Sequence, residues 1–176
     1  MKKIAVMISG SGSNLEAIVK ACHDKNIYGE IVYVISNNPD AYGIERAKKY
    51  NIPVKIIDHK SYTNRDEFDD ALKDFLDNLK IDLIILAGFM RILGKKITEK
   101  FYGKMINLHP SLLPLYPGLN THTQVLNNKD EYHGISIHFV SAELDAGPLI
   151  AQGKVSVKAG DDLSLIHISE PTRHNA

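Results

Sequence analysis

Short apolar runs alternate with longer amphipathic stretches through most of the chain. The runs that predict strands are at residues 4–8, 30–36, 54–57 and 83–86. The stretches with helical spacing are at residues 15–24, 41–50 and 62–79. Nearly continuous apolar strands are typical of a sheet that is covered on both faces. The alternation therefore predicts an α/β fold, a single-domain, mostly parallel twisted sheet with helices on both faces.

The last part of the chain has a different pattern. In residues 134–140, apolar residues face one way and Ser136, His138 and Val140 face the other, which predicts a strand. We interpret His138 as a hydrogen-bonded core histidine rather than a catalyst. A final strand follows over residues 149–157. The most apolar strand, residues 83–86, is expected near the sheet centre.

A loop of serine and glycine, residues 9–14, joins the first strand to the first helix. This arrangement aims backbone N–H groups and a helix N-terminus at an anion. The loop is not a Walker sequence, because no Gly-Lys-Ser/Thr follows, and Leu15 stands where a dinucleotide fingerprint has its third glycine. It predicts a single-phosphate site. The alternative is a tight turn whose helix is capped by Ser13 or Asn14.

Residues 107–114, Asn-Leu-His-Pro-Ser-Leu-Leu-Pro, carry the main candidate chemistry. We place the end of a strand at Ile106, so an amide and an imidazole leave a strand end, where α/β folds bind ligands. Asn107 and His109 point the same way in extended backbone. An amide donor beside a histidine suits a developing oxyanion. The alternative is a proline-rich turn with a capping Asn and a packed His. Asp145 precedes Ala-Gly-Pro, where turn chemistry alone would explain it.

Composition narrows the function classes. With 176 residues, 44% of them hydrophobic, the chain suits one globular domain. Its zero formal net charge argues against general nucleic-acid binding. The single cysteine, Cys22, fits a reducing compartment such as the cytoplasm, and no apolar run is long enough to span a bilayer. There is no helical His-x-x-x-His and no Cys pair, so a metal site is not expected.

Four motifs, in this order, resemble a known family. They are Ile8-Ser9-Gly10-Ser11-Gly12-Ser13-Asn14-Leu15, Leu86-Ala87-Gly88-Phe89-Met90-Arg91-Ile92-Leu93, Asn107-Leu108-His109-Pro110-Ser111-Leu112-Leu113-Pro114 and, after His138-Phe139-Val140, Leu144-Asp145-Ala146-Gly147-Pro148. The chain resembles the phosphoribosylglycinamide formyltransferases of the purine pathway, with a formyltransferase, Rossmann-like fold. The resemblance runs from Ile4 to about Gly160.

The resemblance implies a role for each matching residue. The substrate phosphate would be held by Gly12, Ser13 and Asn14. The catalytic set would be Asn107, His109 and Asp145, with Asp145 favouring the charged imidazole. The residues implied for folate binding are Arg65, Met90, Arg91, Ile92, Leu93, Asn107 and Val140. The implied partners are small molecules, glycinamide ribonucleotide and the cosubstrate 10-formyltetrahydrofolate, with no metal, nucleic acid or membrane and with the oligomeric state open.

Two alternatives and one departure accompany the resemblance. Related enzymes, the formyltetrahydrofolate deformylase and the methionyl-tRNA formyltransferase, share the Ser-Leu-Leu-Pro and Asp-Ala-Gly elements. The non-enzyme alternative is a nucleotide-binding α/β module without chemistry. The departure is at the end of the chain, where we expect a formyltransferase domain over residues 1–162 without its C-terminal helix. Residues 163–176 resemble translated sequencing adapter, and we expect them to be a non-native tail.

Overall fold

A computed structural model describes residues 1–163, which form one sheet flanked by helices. The strands are β1 (Lys2–Ile8), β2 (Gly29–Ser36), β3 (Val54–Ile56), β4 (Leu83–Leu86), β5 (Met105–His109), β6 (Tyr132–Phe139) and β7 (Leu149–Ser156). The helices are α1 (Ser13–His23), α2 (Gly43–Lys49), α3 (Arg65–Asn78), α4 (Lys95–Lys100) and α5 (Thr121–Asn127), with a 3-10 turn at His59–Ser61. Except for Leu163, the expected non-native tail lies outside the described residues.

The seven strands form one sheet in the order β3-β2-β1-β4-β5-β6-β7. Pairing is parallel from β3 through β5, whereas β6 is antiparallel to both of its neighbours. The prediction of a mostly parallel sheet is confirmed, and so is the central position of β4. The order of the strands reverses between β1 and β4. Such a switch point opens a crevice at the carboxyl ends of the strands, where ligands bind in folds of this kind.

Alternating side chains of β1 serve two separate cores. Ala5 and Met7 belong to a cluster that Phe68, Leu72 and Leu76 of α3 complete. On the other face, the remaining apolar residues of β1 pack with α1 and α2. Successive side chains of a strand point to opposite faces of the sheet, so one apolar run contributes side chains to both cores. The prediction of helices on both faces is therefore confirmed.

Two details of the elements differ from the sequence-based expectation. The strand that we expected to end at Ile106 continues to His109, because Asn107 pairs with His138 and His109 with Ser136 across the β5–β6 ladder. Helix α4 was not predicted. Its six residues contain one buried apolar side chain, Ile97, which is too few to produce a helical periodicity.

Strand β6 buries its polar side. Ser136 and His138 are buried, whereas Ile135 and Ile137 are only partly so. The Ser136 hydroxyl donates to the Ser111 carbonyl at 2.6 Å and accepts the Leu113 N–H at 3.0 Å. The polar face of β6 therefore fastens the loop that follows β5, and this places the candidate site at the β5–β6 edge of the sheet.

Candidate active site

The structure brings together the three residues proposed for catalysis. Asn107 and His109 lie two positions apart on β5 and point to the same side of the sheet. Asp145 reaches them from the loop between β6 and β7. Its Oδ1 accepts from Asn107 Nδ2 at 3.3 Å, and its Oδ2 lies 3.4 Å from His109 Nδ1. The His109 and Asp145 side chains are only 5% and 6% exposed, so water screens their charges little.

His138 is a fourth member of this cluster. Its Nδ1 lies 2.9 Å from the Phe139 carbonyl, which can only accept, so the Nδ1 atom carries a proton. The Nε2 atom of the neutral ring is then an acceptor, and Asn107 Nδ2 lies 3.2 Å from it. The expectation of a buried, hydrogen-bonded His138 is met, but the sequence did not indicate that its partners would be Asn107 and Asp145.

The cluster shifts the pKa values of two of its members. Burial acts to raise the pKa of Asp145, but the His138 ring, the Gly118 N–H and the charge of His109 outweigh it, so the pKa lies below its ordinary value. Burial acts to lower the pKa of His138, but the Asp145 carboxylate and the Phe139 carbonyl outweigh it, so that pKa is raised. The cluster therefore favours an ionised carboxylate beside protonated imidazole.

The loop between β5 and α5 contacts this cluster through its backbone. His109 Nε2 lies 2.8 Å from the Tyr116 carbonyl, and the Gly118 N–H donates to Asp145 Oδ2 at 2.8 Å. Both nitrogens of His109 thus face acceptor oxygens, an arrangement that suits the protonated ring. Tyr116 and Asp145 have φ of 55° and 49°, in the left-handed region that most side chains avoid.

The glycine-rich loop after β1 forms a small concave site. A cavity of about 160 Å³ is lined by its residues 9–14 and by Ala87, Gly88 and Met90 after β4. Gly12, at φ 73°, occupies the N-cap of α1, and no side chain caps the helix. The alternative of a helix capped by Ser13 or Asn14 is therefore wrong. Uncapped N–H groups in the first turn of a helix suit an anion.

Helix α2 supports this loop from behind. Arg46 Nε donates to the Ser11 carbonyl at 2.9 Å, and the Gly43 N–H donates to the Gly10 carbonyl at 2.9 Å. Arg46 also pairs with Glu16 of α1. A Cβ on Gly12 would lie 2.6 Å from the Cα of Gly43, so the close approach of loop and helix requires glycine. This second requirement for glycine at Gly12 was not visible in the local sequence pattern.

The residues implied for folate binding surround the loop after β4. Met90 and Ile92 are 64% and 54% exposed, while Leu93 is buried in the core with α3. Val140 packs against the same core from the end of β6. The buried Asp69 of α3 accepts the Gly94 N–H at 2.6 Å and so anchors the end of the loop, a residue that the sequence analysis missed.

Arg65, at the start of α3, lies beside that anchor. A Cβ on Gly94 would be 3.7 Å from its Nε atom. Arg65 and the loop therefore form one group of implied folate residues, with Asn107 and Val140 on the side of the catalytic cluster. In residues 1–163, no three His, Cys, Asp or Glu side chains gather as a metal site requires. None of the helices described is both long enough and apolar enough to cross a bilayer.

The chain is similar in sequence to proteins of known function. The family model described as formyl transferase matches residues 2–170. The phosphoribosylglycinamide formyltransferase of Haemophilus influenzae is 48% identical over 163 residues, which cover 93% of this chain and 77% of that protein. The trifunctional purine biosynthetic protein adenosine-3 of Gallus gallus is 44% identical over 93% of this chain and 16% of its own length.

A solved structure gives the same result for the fold. The crystal structure of glycinamide ribonucleotide transformylase 1 from Symbiobacterium toebii superposes with a TM-score of 0.91 at 40% identity, over 95% of this chain and 79% of that one. The family model spans nearly the whole sequence and the Haemophilus relative is covered over more than two thirds of its length. The chain therefore belongs to the formyl transferase family.

Proposed function

We propose that this chain transfers the formyl group of 10-formyltetrahydrofolate to the amine of 5′-phosphoribosylglycinamide, a step in de novo purine (IMP) synthesis. The observation that carries the proposal is the buried cluster in which Asn107, His109 and Asp145 meet. The names of the relatives supply the substrates. Membership of the family supports a formyl-folate cosubstrate in general, and the 10-formyl isomer is part of the proposal.

In this reaction the amine nitrogen attacks the formyl carbon and forms a tetrahedral oxyanion. The C–N bond to the formyl carbon forms, the bond from that carbon to N10 of the folate breaks, and one proton passes from the amine to N10. Formylated product and tetrahydrofolate result, and no oxidant or reductant is needed. We assign the proton transfer to a water held by Asp145.

His109 and Asn107 act as the donors to the oxyanion. His109 Nε2 now donates to the Tyr116 carbonyl, and Asn107 Nδ2 donates to Asp145. The formyl oxygen must therefore replace the Tyr116 carbonyl at Nε2 and take over one N–H of Asn107. A preorganised donor in a site that excludes water stabilises a developing charge far more than the same donor in water.

The phosphate of the acceptor is assigned to the N–H groups of Gly12, Ser13 and Asn14 at the start of α1. The folate is assigned to Arg65, to Met90, Arg91, Ile92 and Leu93 after β4, and to Asn107 and Val140. Met90 of the folate group lines the same cavity as the glycine-rich loop.

The proposal is tested by offering the chain 10-formyltetrahydrofolate with three acceptors in turn: glycinamide ribonucleotide, methionyl-tRNA and water alone. Product formation with the ribonucleotide only is expected. Formylated tRNA or free formate as the main product would assign the chain to one of the two related activities. No product with any acceptor would favour the non-catalytic module.

Replacing His109 tests the catalytic assignment. His109→Ala is expected to lower turnover by roughly 10²–10³, the range for loss of one donor to an oxyanion. The matched control is His23→Ala, because the His23 side chain at the end of α1 is 87% exposed and lies outside the site. Steady-state rates in which the two variants behave alike would remove His109 from the mechanism.

A further inference from the structure

Ser9 occupies the switch point of the sheet, between the two loops assigned to the two ligands. It follows the last residue of β1 and lines the cavity that the glycine-rich loop shares with the loop after β4. Its backbone N–H donates to the Gly88 carbonyl at 3.1 Å. Ser9 has no role in the proposed formyl transfer, yet its N–H, its hydroxyl and its carbonyl are all hydrogen-bonded.

The side chain of Ser9 forms hydrogen bonds to two loops, the loop after β4 and the loop after β2. The Met90 N–H donates to Ser9 Oγ at 2.7 Å, and Ser9 Oγ donates to Asn37 Oδ1 at 2.5 Å. The directions of these two hydrogen bonds are fixed. A backbone N–H can only donate, so the Met90 N–H donates to the hydroxyl oxygen and the hydroxyl hydrogen is left for Asn37. Asn38 Nδ2 also donates to the Ser9 carbonyl, at 3.3 Å.

At Asn37, this series of hydrogen bonds reaches the protein interior. Asn37 is 3% exposed, and its Nδ2 and carbonyl lie 3.1 Å and 2.8 Å from His59 Nδ1. The near end is the backbone of Met90, inside the loop assigned to the folate. Ser9 thus fixes Met90 relative to β1, whose direct continuation is the loop assigned to the phosphate.

From these contacts we infer that Ser9 is a positioning residue that couples the two ligand sites, so that a ligand on the glycine-rich loop tightens binding at the loop after β4, and the reverse. The physical reason is shared ordering. A ligand that immobilises one loop also restrains the other through Ser9, so the second ligand loses less conformational freedom. The coupling must be reciprocal, because it is a property of the binding free energies.

The identity of the two ligands in this inference rests on the proposed function. The test uses glycinamide ribonucleotide and tetrahydrofolate, a pair that cannot react because no formyl group is present. Calorimetry on the full chain gives the dissociation constant of each ligand alone and with the other at saturation. We expect each to bind about fivefold more tightly in the presence of its partner, at the low end of typical coupling factors.

Three variants separate coupling from stability. Ser9→Ala is expected to abolish the coupling factor while both ligands still bind singly, and Ser9→Thr, which keeps the hydroxyl, is expected to restore it. The matched control is Ser36→Ala, which removes another buried hydroxyl at a strand end, one that bonds only within its own turn, to the Asn38 backbone. It is expected to lower stability and leave the coupling unchanged.

A second readout does not depend on the reaction. Inorganic phosphate should slow hydrogen exchange of the Met90 amide in the unmodified chain and not in Ser9→Ala. A chain that makes no formylated product but shows this effect would contradict the proposed function and support the coupling. Equal coupling factors in the unmodified chain and Ser9→Ala, or no coupling in the unmodified chain, would overturn the inference.

Discussion

Asp145 meets four polar groups through one buried carboxylate, so its charge acts on each of them. Asn107 and the Gly118 N–H donate to it, and the rings of His109 and His138 face it at 3.4 and 3.6 Å. The lowered pKa of Asp145 stabilises the folded chain above the ordinary carboxyl pKa of about 4, and this stabilisation is lost as the pH falls through the folded value.

His138 has the opposite dependence on pH. Its raised pKa stabilises the fold below the ordinary imidazole value of about 6.5, and the contribution is lost as the pH rises through the folded value. The window in which the carboxylate and the protonated ring coexist lies between the two folded pKa values. Both contributions to stability are complete between the two ordinary values, about 4 and about 6.5.

Asp145→Asn is expected to lower the pKa of His138, because the variant removes the negative charge that outweighs the burial of the ring. Formyl transfer should fall as well, since the same carboxylate faces His109. An NMR titration of the His138 ring protons measures the first effect. The control is Asp24→Asn, whose side chain pairs only with the exposed His23. A His138 titration unchanged by Asp145→Asn would contradict the electrostatic account.

At the scale of elements, the glycine-rich loop and α2 act as one unit. Gly12 has a positive φ and has no room for a Cβ beside Gly43, whereas Gly10, two residues earlier, has open space around it. A larger residue at Gly12 would keep a ligand away from the loop backbone. The structure shows a second effect that needs no ligand, because a side chain at this position would push the loop away from α2.

Gly12→Ala is therefore expected to lower the free energy of unfolding by at least roughly 1–2 kcal/mol, the cost of a side chain in the left-handed region. Gly10→Ala should change stability by less than about 0.5 kcal/mol, as substitutions outside special positions do. Urea unfolding of the two variants provides the comparison. Similar stabilities for both would mean that α2 does not constrain the loop.

The elements that the sequence predicted best are those with one repeated physical signal. Helix α3 has a clear apolar period and strand β4 is a continuous apolar run, and both are close to the predicted positions. Helix α4 and the end of β5 lack that signal. Asn107 and His109 belong to the strand because β6 pairs with them, and such long-range pairing is invisible in the local pattern.

For the whole molecule, the position of a strand in the sheet decides how much it contributes to stability. Ile84 of the central β4 is 1% exposed and lies in the core under α3, whereas Ile56 of the edge strand β3 is 44% exposed. Ile84→Ala is expected to cost about 2–5 kcal/mol, as for other buried aliphatic residues. Ile56→Ala should cost about 1 kcal/mol or less.

Thermal or urea unfolding checks that difference directly. The two variants carry the same chemical change, so any contrast reports burial alone. Comparable losses would indicate that β3 is as well covered as β4, which is inconsistent with the sheet order.

The site was predictable only in part, and for a physical reason. Asn107, His109 and Asp145 were identified because their residue types and motif context indicated the chemistry. His138, Ser9 and Asp69 act through partners that are distant in sequence. A buried histidine, a loop serine and a helical aspartate are common in any fold, and only the assembled sheet shows what each one contacts.

The backbone around the catalytic cluster has a consequence for engineering. Residues 1–163 contain seven non-glycine residues with positive φ, and four of them, Lys25, Asn51, Lys80 and Lys129, follow helix ends, where that conformation is usual. Of the other three, Asp145 belongs to the cluster with Asn107 and His109, the Tyr116 carbonyl faces His109, and Asn120 occupies the N-cap of α5 without a side-chain cap bond. A laboratory selection for heat resistance alone would favour glycine at Asn120, which has no such bond to lose, and would retain Asp145, whose carboxylate meets four polar groups.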